Sequence, residues 1–225
     1  LTESGYIVGP GNAQFPVHSG WKDLATIMKN VDVFDPIIDR IEEVVCGPDV
    51  NKSVLLIGDS SLAYRYIFAR LANRTTGKCP GMWHVDINVS KVEAGHHYVG
   101  DVDEYWQNKI LRPSDKKDVI MYLQSVGSLI GIGSHMNDDT GIEREYVANF
   151  TAGQMRTVGY SDKYEYNDII RSKHGYVLES FAEKIVLPPV DAAQITLLAR
   201  AYLATMHPRL ILTQSDLDYL IKQIA

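Results

Sequence analysis

The sequence has little cysteine, with only Cys46 and Cys79 in 225 residues. Two cysteines give neither the disulfide framework of a small secreted domain nor a metal-ligand spacing. We therefore expect both side chains to be reduced thiols and the chain to be cytoplasmic. This scarcity excludes a disulfide-stapled fold and a cysteine-rich metal centre.

The sequence also lacks a long hydrophobic run and an excess of basic residues. Its most apolar window, Val119 to Gly133, is interrupted by polar side chains and is too short to span a bilayer. We recognise no export signal in the amino-terminal residues, and expect no membrane contact from these residues. The 28 acidic and 22 basic residues give a net charge of -6, which argues against a nucleic-acid partner because phosphates attract a basic face.

What the sequence does have is an apolar run, a short polar loop and a helical pattern in direct succession. Val54 to Ile57 is typical of a strand buried on both faces, and Gly58 marks the turn after it. A P-loop would read G-x-x-x-x-G-K-[ST] from this glycine. Here Ala63, Tyr64 and Arg65 replace the second glycine, the lysine and the hydroxyl residue. On these residues alone, an ordinary strand-loop-helix unit and a decayed P-loop are both open.

Strand and helix patterns alternate between residues 32 and 189. We predict strands at Val54–Ile57, Met82–Val89, Asp118–Val126, Met155–Val158 and Lys184–Leu187. Such alternation predicts a five-stranded parallel sheet with helices on both faces. Residues 1–31 indicate an extended arm and a short leading helix. After residue 189 the patterns are helical only, so we predict that residues 190–225 begin a separate helical subdomain.

Three short motifs follow one another in a recognisable order. They are Asp35-Pro-Ile-Ile-Asp-Arg40, Val54-Leu-Leu-Ile-Gly58 and Val92-Glu-Ala-Gly-His-His-Tyr-Val-Gly-Asp-Val-Asp-Glu104. These stretches resemble motifs in the first AAA+ domain of the Clp-type protein unfoldases, the ClpA, ClpB and ClpC group. The resemblance covers about Asp32 to Ala225. It implies an α/β, P-loop NTPase-like AAA+ fold with a partial helical lid.

The resemblance also implies roles for individual residues. Ile37 and Ile38 would lie against an adenine ring. Tyr98 and Gly100 would belong to the loop that grips polypeptide in the family's central pore, although a surface tyrosine without that role is the alternative. The other positions of the nucleotide site would be Gly58, Asp59, Ser60, Ser61, Leu62, Ala63, Tyr64, Arg65, Gln124, Ser125 and Ser161.

The departures from the family pattern all affect ATP chemistry. Gln124 and Ser125 replace the magnesium-binding acid and the glutamate that orients water. Tyr64 replaces the lysine, and Glu179 falls where the family has a trans-acting arginine. We therefore predict a pseudo-ATPase domain with no catalytic residues, in which binding of ATP or ADP is weak or absent.

Several other residues suggest sites on first inspection. Arg65 could hold a residual phosphate as a fork of donors, or pair with a neighbouring acid. Asn149-Phe-Thr151 formally matches a glycosylation acceptor, and we expect it to be unused because no export signal accompanies it. No metal site is predicted, because no known ligand spacing fits His84, Asp86, His96, His97 and His135.

The leading hypothesis is a non-hydrolysing module that docks onto other AAA+ subunits or onto a larger secretion or chaperone-type machine. It would be part of a homo- or hetero-oligomer, in which an inactive site can still shape an interface. The alternative is a Clp-like ATPase that binds ATP weakly and hydrolyses it slowly. A third candidate, a nucleic-acid-binding AAA+ protein of the initiator kind, would need a basic face that the composition does not offer.

Overall fold

The structure is a computed structural model that describes residues 5–8, 34–72, 82–87, 104, 107–108, 119–130, 132, 142–171, 174–198, 213, 215–216 and 219. Within these ranges, no helix is both long enough and apolar enough to cross a membrane. Residues 192–198 are helical, and the proposed boundary at residue 190 stays a prediction.

The fold is built on a six-stranded sheet. Its strands are β1 (Gly5–Val8), β2 (Ser53–Ile57), β3 (Trp83–Ile87), β4 (Val119–Leu123), β5 (Arg156–Ser161) and β6 (Glu183–Val186). Their order across the sheet is β1-β3-β4-β5-β2-β6. The five strands from β3 to β6 in this order run parallel, and β1 pairs antiparallel with β3. The predicted five-stranded parallel sheet is confirmed, and β1 extends it with a strand from the predicted arm.

The strands with continuous apolar runs lie inside the sheet. Every residue of β2 and of β4 is buried, because helices cover both faces of a parallel sheet. The edge strand β6 alternates half-buried and exposed residues instead, and its Val186 is exposed. Both interior strands end at the same edge of the sheet, where the candidate site lies.

Five described helices flank the sheet, followed by the helical residues 192–198. They are α1 (Asp35–Val45), α2 (Ser61–Ala72), α3 (Glu143–Thr151), α4 (Lys163–Arg171) and α5 (Gly175–Glu179). Successive residues of β2 contribute to two cores. Leu56 packs in the core that includes residues of α1 and α2, and Leu55 packs in the core that includes residues of α3 and α5. The alternation of side chains along a strand produces this division.

Cys46, which caps the carboxyl end of α1, is in a disulfide bond, and the described residues contain no free cysteine. The other cysteine of the chain is Cys79, which lies outside the described residues. The expectation of reduced thiols is therefore wrong for Cys46. Sequence spacing could not reveal the bond, because pairing depends on which segments the fold brings within reach. The cytoplasmic prediction loses the support that it drew from free thiols.

The turn after α3 requires a glycine. Gly153 has a φ of +74°, in the left-handed region that other residues avoid. A Cβ at this position would lie 2.3 Å from the carbonyl oxygen of Val50. The turn and the segment before β2 therefore approach each other more closely than a side chain at residue 153 would permit.

We expect Gly153→Ala to lower the free energy of unfolding by about 1–3 kcal/mol, because it adds backbone strain and a clash with the Val50 carbonyl. Urea unfolding measures the change. Ala152→Ser is the control, since the side chain of Ala152 is exposed and such changes alter stability by less than about 0.5 kcal/mol. Equal midpoints for the two variants would contradict the close approach.

Candidate functional site

The loop after β2 is short and caps its own helix. Only Gly58, Asp59 and Ser60 separate β2 from the start of α2. The carbonyl oxygen of Ser60 accepts hydrogen bonds from the amides of Ala63 and Tyr64 at 3.1 and 3.4 Å. The Oγ of Ser60 also accepts from the Ala63 amide at 3.2 Å. In a P-loop, backbone donors at this end of the helix point at phosphate, whereas here Ser60 occupies one of them, the Ala63 amide.

Tyr64, at the predicted lysine position, belongs to the core. Its side chain is 4% exposed. Its ring stacks on the ring of Tyr160 in β5, with 4.1 Å between the centroids, and meets the ring of Phe68 edge-on at 5.2 Å. The Oη of Tyr160 donates a hydrogen bond of 2.6 Å to the carbonyl oxygen of Gly58. Two tyrosine rings therefore fill the space beside the loop.

Gly58 has a packing role that does not involve phosphate. A Cβ on this residue would lie 2.9 Å from the Cβ of Leu187. The Gly58 amide donates to the carbonyl oxygen of Ser161 at 3.2 Å, and the Leu187 amide donates to the carbonyl oxygen of Ile57 at 2.7 Å. The glycine therefore lets the segment after β6 pack tightly against the end of β2.

Gln124 and Ser125, at the end of β4, each donate a hydrogen bond to a carboxylate from another element. The Nε2 of Gln124 donates to Oδ2 of Asp86 in β3 at 2.6 Å. The Oγ of Ser125 donates to Oε1 of Glu165 in α4 at 2.5 Å. The predicted site thus contains two carboxylates, on β3 and α4 rather than on β4. Sequence reasoning did not place Glu165 in the site and considered Asp86 only as a metal ligand.

Glu165 is held in a small polar cradle. Burial raises the pKa of its carboxyl group, while hydrogen bonds from Ser125 and Ser161 oppose that rise. Gly127 makes room for the carboxylate, because a Cβ there would lie 2.2 Å from Oε1. Ser161, a predicted residue of the nucleotide site, hydrogen-bonds to Glu165 in this cradle.

Asp86 is 4% exposed, and among the residues that the structure describes its Oδ1 has no hydrogen-bond partner. Burial raises the pKa of Asp86 to about 6, against the opposing effects of the Gln124 hydrogen bond and of the nearby Arg65 charge. Arg65 also donates through Nε to Oη of Tyr64 at 3.3 Å. Arg65 thus lies near an acidic side chain, and both uses left open for it stay predictions.

Acidic side chains lie near the Tyr160 hydroxyl, beside the loop after β2. Asp59, Asp162 and Glu165 each lie close enough to the Tyr160 hydroxyl to raise its pKa, although burial is the larger cause. Lys163, at the start of α4, forms an ion pair with Asp59. Lys163 is therefore already paired with one of these acids.

The remaining predicted residues are dispersed. Ile38 is buried in the core beside α1 and α2, and Ile37 and Leu62 pack against the same core. Ser61 is exposed at the start of α2. Tyr98 and Gly100 lie outside the described residues. In the part of the chain that the structure describes, no three His, Cys, Asp or Glu side chains are grouped to hold a metal ion.

Comparison with protein-family models finds no match, and comparison with curated proteins finds none either. Solved structures are similar in fold. The S. cerevisiae Hsp104–ADP complex matches with a TM-score of 0.62 at 18% identity, over 88% of this chain and 35% of the other. The closed state of Hsp104 with ATPγS and FITC casein matches at 0.61 and 19%, over 87% and 32%. The extended S. cerevisiae Hsp104–casein complex gives 0.61 and 18%, over 87% and 32%.

The chain therefore has the α/β AAA+ fold of the Clp-type protein Hsp104. It spans about a third of the length of the chains that it matches. Identities of 18–19% support the fold and do not carry over a ligand or an activity.

Two buried groups of β3 give opposite pH dependences of stability. The pKa of Asp86 is about 6 in the folded state, above its ordinary value of 3.8, so its contribution favours folding at low pH and is lost as pH rises from about 4 to 6. Burial lowers the pKa of His84 from 6.5 to about 4, so its contribution is present above pH 6.5 and is lost as pH falls to 4. The two effects oppose each other in the unmodified chain.

We expect Asp86→Asn to raise the free energy of unfolding at pH 7 by about 1–3 kcal/mol, because it removes a buried charge. Near pH 4.5 the gain should be much smaller, and the variant should lose stability on acidification more steeply than the unmodified chain. Urea unfolding at both pH values measures this, with the exposed Asp49→Asn as the control. The same stability change at both pH values would contradict the raised pKa.

Proposed function

We propose that this chain is a degenerate AAA+ domain that acts as an assembly or protein-interaction module of a larger AAA+ or chaperone-type machine and does not turn over ATP. One observation carries the proposal: Tyr64, at the lysine position, is part of the hydrophobic core and stacks on Tyr160 at 4.1 Å. The lysine of a P-loop has to reach the β- and γ-phosphates. A core tyrosine offers no charge there and cannot leave without unpacking two rings.

The electrostatics of the site also disfavour a nucleotide. Asp59, Asp162 and Glu165 lie around the Tyr160 hydroxyl. Two like charges 4 Å apart near a protein surface repel by about 4 kcal/mol. A triphosphate bound at this loop would bring several negative charges close to these acids. Lys163 is paired with Asp59, and Arg65 lies near Asp86, so these cations already have acidic neighbours.

The end of β4 supports the same conclusion for the metal. Magnesium in phosphoryl-transfer sites is held by an acidic side chain, and a second acid orients water. The Nε2 of Gln124 donates a hydrogen bond to the Asp86 carboxylate, and the Oγ of Ser125 donates one to the Glu165 carboxylate. Both carboxylates are therefore hydrogen-bonded within the protein at the place where the metal would need them.

The proposed protein partners are suggested by the solved structures that are similar in fold. The Hsp104 structures are complexes with ADP, with ATPγS and casein, or with casein. From these we extend to this chain the contact with protein, and we leave the nucleotide out. We propose the association with other AAA+ subunits, as a homo- or hetero-oligomer, from the resemblance of the sequence motifs to the Clp-type unfoldases. Tyr98 and Gly100 are the residues that we propose for contact with polypeptide.

We expect no heat of binding when MgATP is titrated into the protein at micromolar concentration, and no phosphate release above a buffer control. Arg65→Ala is the matched variant, because Arg65 is the basic residue nearer to the start of α2, which has Arg70 in its last turn. Micromolar ATP affinity that Arg65→Ala abolishes would overturn the proposal and establish the slow ATPase instead.

A second arm restores the motif with Ala63→Gly, Tyr64→Lys and Arg65→Thr together. We expect a measurable gain in ATP affinity and a loss of stability, since Tyr64→Lys places an ammonium group against Tyr160. Calorimetry and thermal unfolding report the two effects separately. An unchanged melting temperature would show that Tyr64 does not hold the core.

Assembly is tested independently of nucleotide. Sedimentation of the full-length protein should show concentration-dependent association, with itself or with a co-purified AAA+ subunit, that is the same with ATP, with ADP and without either. Association that requires ATP would contradict an interaction role that has no nucleotide cycle.

A further inference from the structure

The sequon Asn149-Phe-Thr151 lies in the last turn of α3, with its two polar residues turned outward. Phe150 is 1% exposed in the core, whereas Asn149 is half-buried and Thr151 is exposed. The Nδ2 of Asn149 donates to the carbonyl oxygen of Glu145 at 2.7 Å, and the Oγ1 of Thr151 donates to that of Val147 at 2.6 Å. A substituted amide keeps one N–H, so a sugar on Asn149 leaves the first bond possible.

The disulfide bond at Cys46 is the second observation. Disulfide bonds persist in oxidising environments such as the lumen of the endoplasmic reticulum and the cell exterior, and are rare in the cytosol. Proteins that pass through the secretory compartments also receive glycans on accessible N-x-S/T sequons. The sequon is expected to be unused on the ground that no export signal accompanies it, whereas the disulfide bond indicates a compartment in which sequons are used.

The number of sequons is higher than composition predicts. With nine asparagines, fourteen serines and ten threonines in 225 residues, about one N-x-S/T triplet is expected by chance. The chain has four, which begin at Asn51, Asn73, Asn88 and Asn149. Asn73 and Asn88 lie outside the described residues, so the structure can compare Asn51 with Asn149.

The side chain of Asn51 forms hydrogen bonds that help to hold the fold together. Its Nδ2 donates to the carbonyl oxygen of Ser180 at 2.6 Å, and its Oδ1 accepts from the hydroxyl of Ser53. Ser53 is fully buried and also accepts from the Ala182 amide at 3.1 Å. These contacts join the start of β2 to the turn between α5 and β6. A glycan on Asn51 would disrupt that junction.

We propose that Asn149 is an N-glycosylation site and that this protein folds in an oxidising secretory compartment. The donor is an oligosaccharide linked to a polyprenyl diphosphate. A bond forms between C1 of the first sugar and Nδ2 of Asn149, the bond between C1 and the diphosphate oxygen breaks, Nδ2 loses one proton and the polyprenyl diphosphate leaves. The glycan then covers the outer face of α3, away from the core that Phe150 fills.

The first test uses the full-length protein isolated from the cells that produce it. Thiols are alkylated at lysis, glycans are removed by an amidase in ¹⁸O-labelled water, and peptides are analysed by mass spectrometry. We expect residue 149 to be recovered as ¹⁸O-labelled aspartate, Asn51 to be unmodified and Cys46 to be unalkylated until reduction. Unmodified Asn149 overturns the proposal, and so does a Cys46 that is alkylated at lysis.

The second test compares variants of the full chain expressed with a secretory signal. Thr151→Ser keeps the sequon and should keep the glycan, whereas Thr151→Ala and Asn149→Gln should each lose one glycan by intact mass. Asn51→Gln should not change the glycan mass of the folded, secreted protein. A glycan mass that is the same in Thr151→Ala and Asn149→Gln as in the unmodified chain, or one glycan smaller in Thr151→Ser, contradicts the assignment.

Discussion

The stack of Tyr64 on Tyr160 determines what the rest of the site can do. It joins α2 to β5 through two rings 4.1 Å apart, and the Tyr160 hydroxyl holds the Gly58 carbonyl oxygen. With the loop fixed in this way, Ser60 caps α2, so the Ala63 amide at the start of the helix is used within the protein. The residue at the position predicted for a ligand-binding lysine is a residue of the core.

The two sides of the polar site follow one rule, in which a neutral donor faces a buried acid. Gln124 donates to Asp86, and Ser125 donates to Glu165. Hydrogen bonds to a charged acceptor are stronger than neutral ones, yet burial still raises the pKa of both carboxyl groups. Burial therefore disfavours the charged forms of both carboxyl groups. The same surroundings disfavour a bound polyanion.

The sequence predicted the parallel sheet because its interior strands, such as Val54–Ile57, are continuous apolar runs, which depend on local composition alone. It missed β1, since its partner β3 is distant in the chain and the surrounding glycines and prolines resemble a loop. The contact between Gln124 and Asp86 was equally inaccessible, because it requires the pairing of β3 with β4. For Cys46, spacing carried no information about a bond that only the fold creates.

The proposed absence of a nucleotide would also change how the loop region is stabilised. A ligand at 100 times its dissociation constant adds about 2.7 kcal/mol to the stability of a folded domain, and a domain that does not bind ATP would lack that contribution. The aromatic pair of Tyr64 and Tyr160 supplies about 0.5–1.5 kcal/mol, the Ser60 cap about 1 kcal/mol and the Tyr160 hydrogen bond to Gly58 about 1 kcal/mol. These contacts are of the same size as the missing contribution. They hold the loop in place through the protein's own side chains, so under the proposed function the loop needs no phosphate to order it.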